Sequence, residues 1–272
     1  PSTAVHVCYC HTPIRYAWEM EETYLKDFRV PKLLRKHVKS RLNAIRRWDM
    51  TTSKRVDHFI ANSTTTQERI RRLYGRESTV IHPPVGEQFL QSPLDTTSPG
   101  DRHYFLALGR LVPYKRFDLL VETCNRLKLP LKIAGTGRDF KRLHLMAGPT
   151  VEMLGYVCDD ELPKLYAGAR AFFFPQIEDA GVAALEAQAS GTPVIALGQG
   201  GALDTIVDGK TGIFFPEQSV ASVQKAIEDF STIDWKPEEI RRHAEQFREE
   251  IFRGKIRNAV EDAVERFQRH HS

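Results

Sequence analysis

The second part of the chain alternates short apolar runs with longer amphipathic stretches. From His103 onward the two kinds of segment follow each other about every 20 to 25 residues, which is the spacing of βαβ units. In such units consecutive strands lie parallel, and a helix crosses from each strand to the next. The sequence therefore predicts an α/β fold with a parallel sheet over about residues 100–235.

The first part of the chain, about residues 1–95, predicts a smaller α/β lobe. A polar segment rich in Pro, Gly and Ser, residues 91–100, follows this lobe and predicts a linker. After the parallel-sheet domain, residues 236–272 predict one or two amphipathic helices with a break near Arg253 and Gly254. The elements predicted in the first lobe are strands at 4–10, 58–61 and 78–82 and helices at about 24–54 and 64–74.

The composition is that of a soluble, enzyme-sized protein, with 272 residues, 41% apolar and 27% charged. We find no apolar run of the ~20 residues needed to span a bilayer and no secretory signal, so we expect a cytoplasmic protein. The four cysteines, Cys8, Cys10, Cys124 and Cys158, are scattered, which favours reduced thiols. Cys8, Cys10 and His11 lie close in sequence, but no second ligand cluster follows at zinc-site spacing, so we expect no metal site.

Positive charge is concentrated in residues 26–55. This segment carries eleven Lys and Arg against two Asp, whereas the net charge of the whole chain is only +4. Apolar residues are interleaved with the cations, which predicts a basic amphipathic helix. We consider two interpretations, an ordinary solvated helix face and a surface attracted to anionic lipid at ~1 kcal/mol per cation. Nucleic acid is disfavoured because no recognition motif or aromatic platform accompanies the charge.

Two glutamates, Glu178 and Glu186, frame a glycine turn and the start of a predicted helix. A strand that runs into a glycine turn and a helix leaves free backbone N–H groups at the helix N-terminus, here from Gly181 to Ala183, where phosphate binds readily. One carboxylate would then bind sugar hydroxyls and the other ribose hydroxyls. The alternative is a chance pair of solvated glutamates.

Two further glycine-containing loops follow predicted strands. The first carries Gly109, Arg110 and Lys115, and cations placed after a parallel strand face the sheet edge at which such folds bind ligands. Arginine offers a planar fork for a diphosphate, and lysine offers a compact charge. The second loop contains Gly135 and Gly137, which allow close approach of the backbone to a ligand. The alternative for the first loop is an ordinary solvated basic loop.

These segments resemble, in content and order, the donor-binding domain of retaining glycosyltransferases with the GT-B fold, of the family-four type. The matching stretches are GRLVPYKRFDLLVE from Gly109, KIAGTG from Lys132, LGYV from Leu154, EDAGVAALEAQASGTPVIA from Glu178 and GGALDTIVDGKTGIFF from Gly200. The resemblance covers about residues 100–270. It implies a Rossmann-like parallel-sheet C-terminal domain at 100–235, a truncated Rossmann-like N-terminal lobe at 1–95, and helices at 236–272 that cross back to that lobe.

The resemblance implies an enzyme that moves a sugar from a nucleoside-diphosphate donor to a lipid-linked or saccharide acceptor, with retention at the anomeric carbon. Residues 186–215 look most like the mannosyltransferases that use GDP-mannose in bacterial surface-polysaccharide assembly. We therefore expect mannose from GDP-mannose as the donor, no metal and no further cofactor. The expected location is cytoplasmic, with peripheral attachment to the inner face of the cell membrane.

The resemblance also implies a role for each residue of the donor site. Arg110 and Lys115 would stabilise the leaving diphosphate, Glu178 would hold sugar hydroxyls, and Glu186 would hold the ribose. His11, from the first lobe, would contact the sugar or the pyrophosphate; its alternative role is structural. The other donor-binding positions are Gly109, Gly135, Gly137, Gly181, Val182 and Ala183, with Tyr156 and Val157 packing on the base.

Two features depart from the family pattern. The first lobe begins almost at His11, so we expect ~80 to 100 residues of a Rossmann-type lobe to be absent and an exposed sheet edge to favour self-association. Ala180 stands where the family usually has phenylalanine, which predicts a looser sugar pocket. An alternative function is therefore a fragment that binds a nucleotide or a nucleotide-sugar without turnover.

Overall fold

The computed structural model of the chain describes residues 4–27 and 30–271. The chain divides into two compact units, Pro1–Pro83 with Phe252–Ser272 and Pro84–Ile251. The elements, in chain order, are β1 (Val7–Cys10), α1 (Arg15–Trp18), α2 (Glu21–Asp27), α3 (Lys32–Ser53), β2 (His58–Ala61), α4 (Thr64–Tyr74), β3 (Ser78–Val80), α5 (Glu87–Gln91), β4 (Tyr104–Leu108), α6 (Phe117–Leu127), β5 (Leu131–Ala134), α7 (Phe140–Met146), β6 (Val151–Gly155), α8 (Leu162–Ala167), β7 (Ala169–Phe174), α9 (Val182–Ala189), β8 (Val194–Leu197), α10 (Ala202–Thr205), β9 (Gly212–Phe215), α11 (Val220–Phe230), α12 (Pro237–Ala244) and α13 (Glu249–His271). Short 3-10 turns occur at Pro99–Asp101, Pro113–Lys115 and Glu245–Phe247.

The second unit is built on a six-stranded parallel sheet in the order β6-β5-β4-β7-β8-β9. Successive residues of the central strand β4 are buried on opposite faces of it, as both-sided burial of a parallel sheet requires. Phe105 stacks on Phe173 at 4.9 Å between ring centroids and joins the core formed with α6 and α11. Leu106 joins the core formed with α8 and α9. The predicted α/β fold with a parallel sheet is confirmed.

Residues 91–100 belong to the second unit and are not a linker between the units. Arg102 is only 5% exposed, and its guanidinium donates to the carbonyl oxygen of Asp95 at 2.7 Å. The same group donates to the carbonyl of Ala169 at 3.1 Å and to the hydroxyl of Thr192 at 3.0 Å. Because these bonds hold the polar segment against the sheet, the boundary lies at residue 84, ahead of the predicted linker.

The first unit contains a three-stranded parallel sheet in the order β1-β2-β3. The two faces of β2 are covered by different helices. Phe59 packs with Ile70 of α4, whereas Ile60 packs with Ala259 of α13. Ser63 caps α4, because its side chain accepts a hydrogen bond from the backbone N–H of Thr66 at 3.0 Å.

The predicted basic helix is divided into two helices. α2 ends at Asp27, and α3 begins after Pro31 and continues for 22 residues to Ser53. Proline suits the beginning of a helix because it has no backbone N–H to donate. Residues 28 and 29 of the predicted helix lie outside the described residues. In the described parts of the chain, neither α3 nor any other helix is long and apolar enough to cross a bilayer.

The predicted break near Arg253 and Gly254 is wrong, because α13 runs through both residues. The chain turns earlier, at Arg248, which has extended backbone between the last 3-10 turn and α13. From Phe252 onward α13 belongs to the first unit, and α12 belongs to the second. The division therefore falls inside the predicted segment 236–272.

Replacing Gly254 with alanine should raise the free energy of unfolding by about 0.5 to 1 kcal/mol, because glycine is a poor helix former. A Cβ built at this position has no atom within 4 Å, so the new methyl group causes no clash. Urea denaturation measures the change. A Gly254→Ala variant that is less stable than the parent would contradict the continuous helix.

Candidate functional site

The order of strands in the large sheet reverses at its centre. The chain adds β5 and then β6 on one side of β4, and it adds β7 on the other side of β4. In open α/β sheets, ligands bind outside the carboxyl ends of the strands at such a switch point. The loops that follow β4 and β7 therefore form the candidate site.

These two loops meet through an ion pair. Lys115, in the 3-10 turn after β4, places its Nζ 3.1 Å from Oε1 of Glu178, in the loop after β7. The side chains are 17% and 23% exposed, so both are partly shielded from solvent. A Cβ built on Gly109 would lie 3.2 Å from Lys115 Nζ, which places the amine next to the end of β4. The structure thus brings together three predicted site residues, Gly109, Lys115 and Glu178.

The glycines after β5 are required by backbone contact with the loop after β4. A Cβ on Gly135 would lie 2.0 Å from the carbonyl oxygen of Gly109, and a Cβ on Gly137 would lie 2.2 Å from that of Leu111. The loops are also joined by a hydrogen bond from the N–H of Leu111 to the carbonyl of Thr136 at 2.8 Å. Any side chain at Gly135 or Gly137 would separate the two loops.

Gly181 allows α9 to begin directly beside the Glu178 loop. It has a left-handed conformation, with φ of 66°, and it provides no side-chain cap to the helix. The N–H groups of Val182 and Ala183, the first two residues of α9, have no carbonyl partner within the helix and are positioned to receive an anion. The N–H of Gly201 donates to the carbonyl of Glu178 at 2.8 Å and holds this loop in place.

The two arginines after β4 have different surroundings. Arg110 is exposed, and the part of the chain that the structure describes offers its side chain no hydrogen bond or ion pair. Arg116 instead joins distant segments, since it donates to Gln218 at 3.2 Å and pairs with Asp118 at 3.3 Å. Gln218 in turn donates to the carbonyl of Pro175 at 2.8 Å, just after β7. The contacts of Gln218 with Arg116 and Pro175 were not predicted from the sequence, because Gln218 has no regular spacing from either loop.

Glu186 lies on α9 within hydrogen-bonding distance of a fully buried tyrosine. The hydroxyl of Tyr166, on α8, donates to its Oε2 at 2.9 Å. Burial raises the pKa of the Glu186 carboxyl from 4.5 to about 7, and the negative charge of Asp159 adds to this increase, whereas the hydrogen bond from Tyr166 opposes it. In the absence of a ligand, the Glu186 carboxyl group therefore loses its proton less readily than an ordinary glutamic acid.

Tyr156 and Val157 line a separate cavity of about 460 Å³ beside the edge strand β6. The cavity lies between β5, β6 and α8, and Lys132 and Lys164 contribute to its wall. Tyr156 is 76% exposed, so its ring is available for stacking. The predicted packing of these residues on a nucleobase remains a prediction.

His11 follows β1 in the first unit. Its ring contacts that of Tyr9 edge-on at 5.2 Å, and its carbonyl accepts a hydrogen bond from the hydroxyl of Thr66 at 3.2 Å. The predicted contact of His11 with a donor remains a prediction. Among the described residues, no three His, Cys, Asp or Glu side chains converge as metal ligands.

Comparison with known families identifies the family of the chain. A family model described as "Glycosyl transferases group 1" matches residues 91–247, which is more than half of the chain. The chain therefore belongs to this family, and the resemblance seen in the sequence is confirmed.

Curated relatives include several mannosyltransferases. The GDP-mannose-dependent alpha-(1-6)-phosphatidylinositol monomannoside mannosyltransferase of Mycolicibacterium smegmatis is 30% identical over 194 residues, 61% of this chain and 51% of the relative. A GDP-mannose-dependent alpha-mannosyltransferase of the same organism is 31% identical over 176 residues, 61% of this chain and 46% of the relative. The chain thus spans about half the length of these curated relatives.

Solved structures share the fold at low identity. Sucrose-phosphate synthase from Thermosynechococcus elongatus aligns with a TM-score of 0.70 and 19% identity, covering 96% of this chain and 67% of that one. Anabaena HepE in complex with UDP-glucose aligns with a TM-score of 0.67 and 20% identity, covering 80% of this chain and 67% of that one. The predicted GT-B fold is confirmed, and at such identities the likeness concerns the fold alone.

Proposed function

We propose that this protein is a retaining, metal-independent glycosyltransferase that moves a sugar, best identified as mannose, from a nucleoside-diphosphate donor to a lipid-linked or saccharide acceptor. The observation that carries the proposal is the contact between Lys115 and Glu178 across the switch point of the sheet. It places a cation and a carboxylate side by side at the edge where a parallel sheet binds ligands.

The residues at this edge suit the charges that develop during transfer. Breaking the bond between the sugar and the phosphate leaves extra negative charge on the diphosphate and positive charge on the sugar. Lys115, Arg110 and the N–H groups at the start of α9 would stabilise the diphosphate. Glu178 would accept hydrogen bonds from sugar hydroxyls, and its negative charge would lie near the developing positive centre.

The ion pair also explains how the site keeps two partly buried charges before the donor arrives. A buried charge without a partner is costly, and each member of the pair offsets the cost for the other. When a diphosphate approaches, Lys115 would exchange its contact with Glu178 for one with phosphate oxygen. Glu178 would then accept hydrogen bonds from sugar hydroxyls, so donor binding converts one internal contact into two contacts with the ligand.

GDP-mannose is the favoured donor because curated relatives with 30% and 31% identity are GDP-mannose-dependent mannosyltransferases. Calorimetric titration with GDP, UDP and ADP, followed by their mannose and glucose conjugates, tests this assignment. We expect GDP and GDP-mannose to bind most tightly. Binding of UDP at least about tenfold tighter than GDP, a difference of ~1.4 kcal/mol, would exclude the GDP-mannose assignment.

Turnover is tested separately from binding. The protein is incubated with the donor selected by titration, and released nucleoside diphosphate is measured with and without a saccharide or lipid-linked acceptor. Acceptor-dependent release supports the transferase. Tight binding without release, across all donors, would leave the alternative of a nucleotide-sugar-binding module.

We also propose that α3 attaches the protein to an anionic bilayer. Its exposed face carries Leu33, which is 91% exposed, and Trp48, which is 62% exposed, together with solvent-exposed Lys36, Arg41 and Arg47. Apolar side chains among cations are typical of helices that lie in the membrane interface. Leu42 and Asp49, on the opposite side of the helix, are buried in the first unit.

Changing Lys36 and Arg47 together to glutamate should abolish co-sedimentation with anionic vesicles at low salt, because each cation near such a surface contributes ~1 kcal/mol. The control variant carries Lys141→Glu and Lys210→Glu, which make the same charge change at exposed positions of the second unit. Equal pelleting of the unmodified protein with neutral vesicles would contradict the proposal.

The outer edge of β1 is a candidate for self-association. Among the described strands, β1 pairs only with β2, so one edge carries backbone groups without a neighbouring strand. We expect concentration-dependent dimerisation by sedimentation velocity. A monomer at all accessible concentrations would exclude it.

A further inference from the structure

Arg116 adopts a backbone conformation that is unusual for a residue with a side chain. Its φ is 56° and its ψ is 35°, in the left-handed region, and Lys128 is the other non-glycine residue of the described chain with a positive φ. Glycine occupies this region without steric cost, whereas a residue with a Cβ is strained there. We therefore expect contacts of the arginine side chain to offset the strain.

The side chain of Arg116 makes two contacts that fix its guanidinium. Its Nε donates to Oδ1 of Asp118, in the first turn of α6, at 3.3 Å, and its Nη1 donates to Oε1 of Gln218 at 3.2 Å. The Nε2 of Gln218 donates to the carbonyl oxygen of Pro175 at 2.8 Å. Because a guanidinium only donates and a carbonyl only accepts, one orientation of the Gln218 amide satisfies both partners. We call these contacts, from Arg116 through Gln218 to Pro175, the Arg116–Gln218 link.

Gln218 is attached to a well-packed part of the second unit. It immediately precedes Ser219, whose side chain caps α11 by accepting a hydrogen bond from the N–H of Ser222 at 3.2 Å. Val223 and Phe230 of α11 are fully buried in the core of the large sheet. Because α11 holds residue 218 in place, the amide of Gln218 fixes the positions of both segments that it contacts.

The two segments joined by the link are those that carry the ion pair. Arg116 directly follows Lys115, at the junction of the 3-10 turn and α6. Pro175 follows β7 directly and lies on the same loop as Glu178. The link therefore joins the backbones on both sides of the contact between Lys115 and Glu178, whose Nζ and Oε1 lie 3.1 Å apart. It uses neither of these two charged groups, so it can hold the loops when Lys115 contacts a ligand.

We propose that Arg116 and Gln218 are positioning residues of the donor site, which hold the loops after β4 and β7 at the separation that a bound diphosphate requires. This inference rests on the proposed function, in which Lys115 stabilises the leaving diphosphate and Glu178 binds the sugar. Donor binding replaces the direct contact between Lys115 and Glu178. The link then keeps the two loops together, so that both side chains stay aligned on one ligand.

Hydrogen exchange measured by mass spectrometry tests the link without any ligand. In Gln218→Ala, peptides that contain residues 109–116 and 175–181 should exchange about tenfold faster, because the amide that connects the two loops is absent. Peptides from β5 and β6 should be unchanged, which shows that the sheet is intact. Unchanged exchange in both loops would overturn the proposal, whether or not the protein transfers sugar.

The kinetic test compares Gln218→Ala with the control Gln224→Ala. The amide of Gln224 donates to Oε1 of Glu228 at 3.0 Å, within α11. We expect Gln218→Ala to lower kcat about tenfold and to raise the donor Kd by about threefold or less, because the charge that Lys115 stabilises grows as the bond to the sugar breaks. Gln224→Ala should leave both values within about twofold.

Arg116→Gly tests the other end of the link without backbone strain, since glycine accepts the left-handed conformation. It should lower kcat by the same factor as Gln218→Ala, and the double variant should be no slower than either single variant. A much larger loss in Arg116→Gly would contradict the link, because the guanidinium would then contact the diphosphate itself.

Two further variants separate positioning from general support of the fold. In a Lys115→Ala background, Gln218→Ala should cause less than about a threefold further loss of kcat, because the group that it positions is absent. Gln218→Glu keeps the shape of the side chain and accepts from Arg116, but its carboxylate cannot donate to Pro175, so it should be as slow as Gln218→Ala. Additive losses with Lys115→Ala, or full activity in Gln218→Glu, would exclude the positioning role.

Failure of the proposed function has a different signature. An unmodified protein that binds the donor without transferring sugar would refute the transferase. The exchange rates of the two loops and the donor Kd of Gln218→Ala would still decide whether Arg116 and Gln218 position the site. Faster exchange in both loops together with an unchanged donor Kd and an unchanged kcat would refute the positioning role alone.

Discussion

Replacing Lys115 with alanine should lower kcat/KM for sugar transfer by a factor of about 100 to 1000, as expected when one stabiliser of a developing anion is removed. The reason is that Lys115 holds its charge beside the end of β4, partly shielded from solvent, where a diphosphate would lose its bond to the sugar. The measurement is the rate of nucleoside diphosphate release in the presence of acceptor. The same replacement of Arg110, on the same loop, should have an effect of similar size.

Two controls separate this role from a structural one. Lys210→Ala removes an exposed lysine just before β9, at the opposite edge of the same sheet, and should change the rate by less than about tenfold. If Lys115 served only to neutralise Glu178, then adding Glu178→Gln to Lys115→Ala would restore activity. Recovery in that double variant would refute direct contact of Lys115 with the diphosphate, whereas we expect a further loss.

Donor affinity should fall about tenfold between about pH 8 and pH 6, because the ionised fraction of Glu186 drops from about nine tenths to about one tenth. The carboxyl has a pKa of about 7, and only its ionised form accepts hydrogen bonds from both ribose hydroxyls through both oxygens. Binding should be measured with an intact nucleotide-sugar. Its two phosphates keep a fixed charge in this range, whereas a free terminal phosphate titrates near pH 6.

Variants of the pair on α8 and α9 test the assignment of this pH dependence. Glu186→Gln should make donor affinity independent of pH in this range. Tyr166→Phe removes a hydrogen bond that lowers the pKa of Glu186, so the midpoint should move to higher pH. A pH profile of binding that is identical in Glu186→Gln and in the unmodified protein would assign the titration to another group.

The same carboxyl affects stability with the opposite sign. Because its pKa in the folded state, about 7, lies above the ordinary 4.5, the folded protein holds the proton more tightly than the unfolded chain. The neutral carboxyl therefore contributes its full stability below about pH 4.5. Ionisation lowers the free energy of unfolding by about 3 kcal/mol as the pH rises to about 7 and above. In the proposed role of Glu186, the protein is therefore less stable in the pH range in which the ionised carboxylate would bind the ribose.

Local patterns in the sequence were sufficient to predict much of the fold. The strand His58–Ala61 and the helix Thr64–Tyr74 have the predicted bounds, because apolar periodicity and capping residues determine them locally. The prediction of a linker at residues 91–100 was wrong because long-range contacts determine the structure of this segment. Residues 91–100 have a linker composition, yet Arg102 attaches them to β7 and to Thr192, and no local pattern reports those bonds.

The candidate site shows the same division. Lys115, Glu178 and the glycines were predictable because each follows the end of a strand, and parallel strands end at one edge of a sheet. The bond between Tyr166 and Glu186 joins residues 20 apart, and the bond between Arg116 and Gln218 joins residues 102 apart. Neither separation has a periodic signal, so only the folded chain reveals these partners.

If the ion pair between Lys115 and Glu178 binds the donor as proposed, donor binding requires both of the strands that precede these residues. Its two residues follow β4 and β7, which are neighbours in space although β5 and β6 lie between them in the chain. Lys115 and Glu178 come together only when β4 and β7 have paired, so a nascent or partly unfolded chain does not contain the ion pair. Excess nucleotide at about 100 times its Kd would therefore add about 2.7 kcal/mol to the native state alone. A rise in melting temperature on addition of nucleotide would indicate that the ligand binds only to molecules in which β4 and β7 are paired.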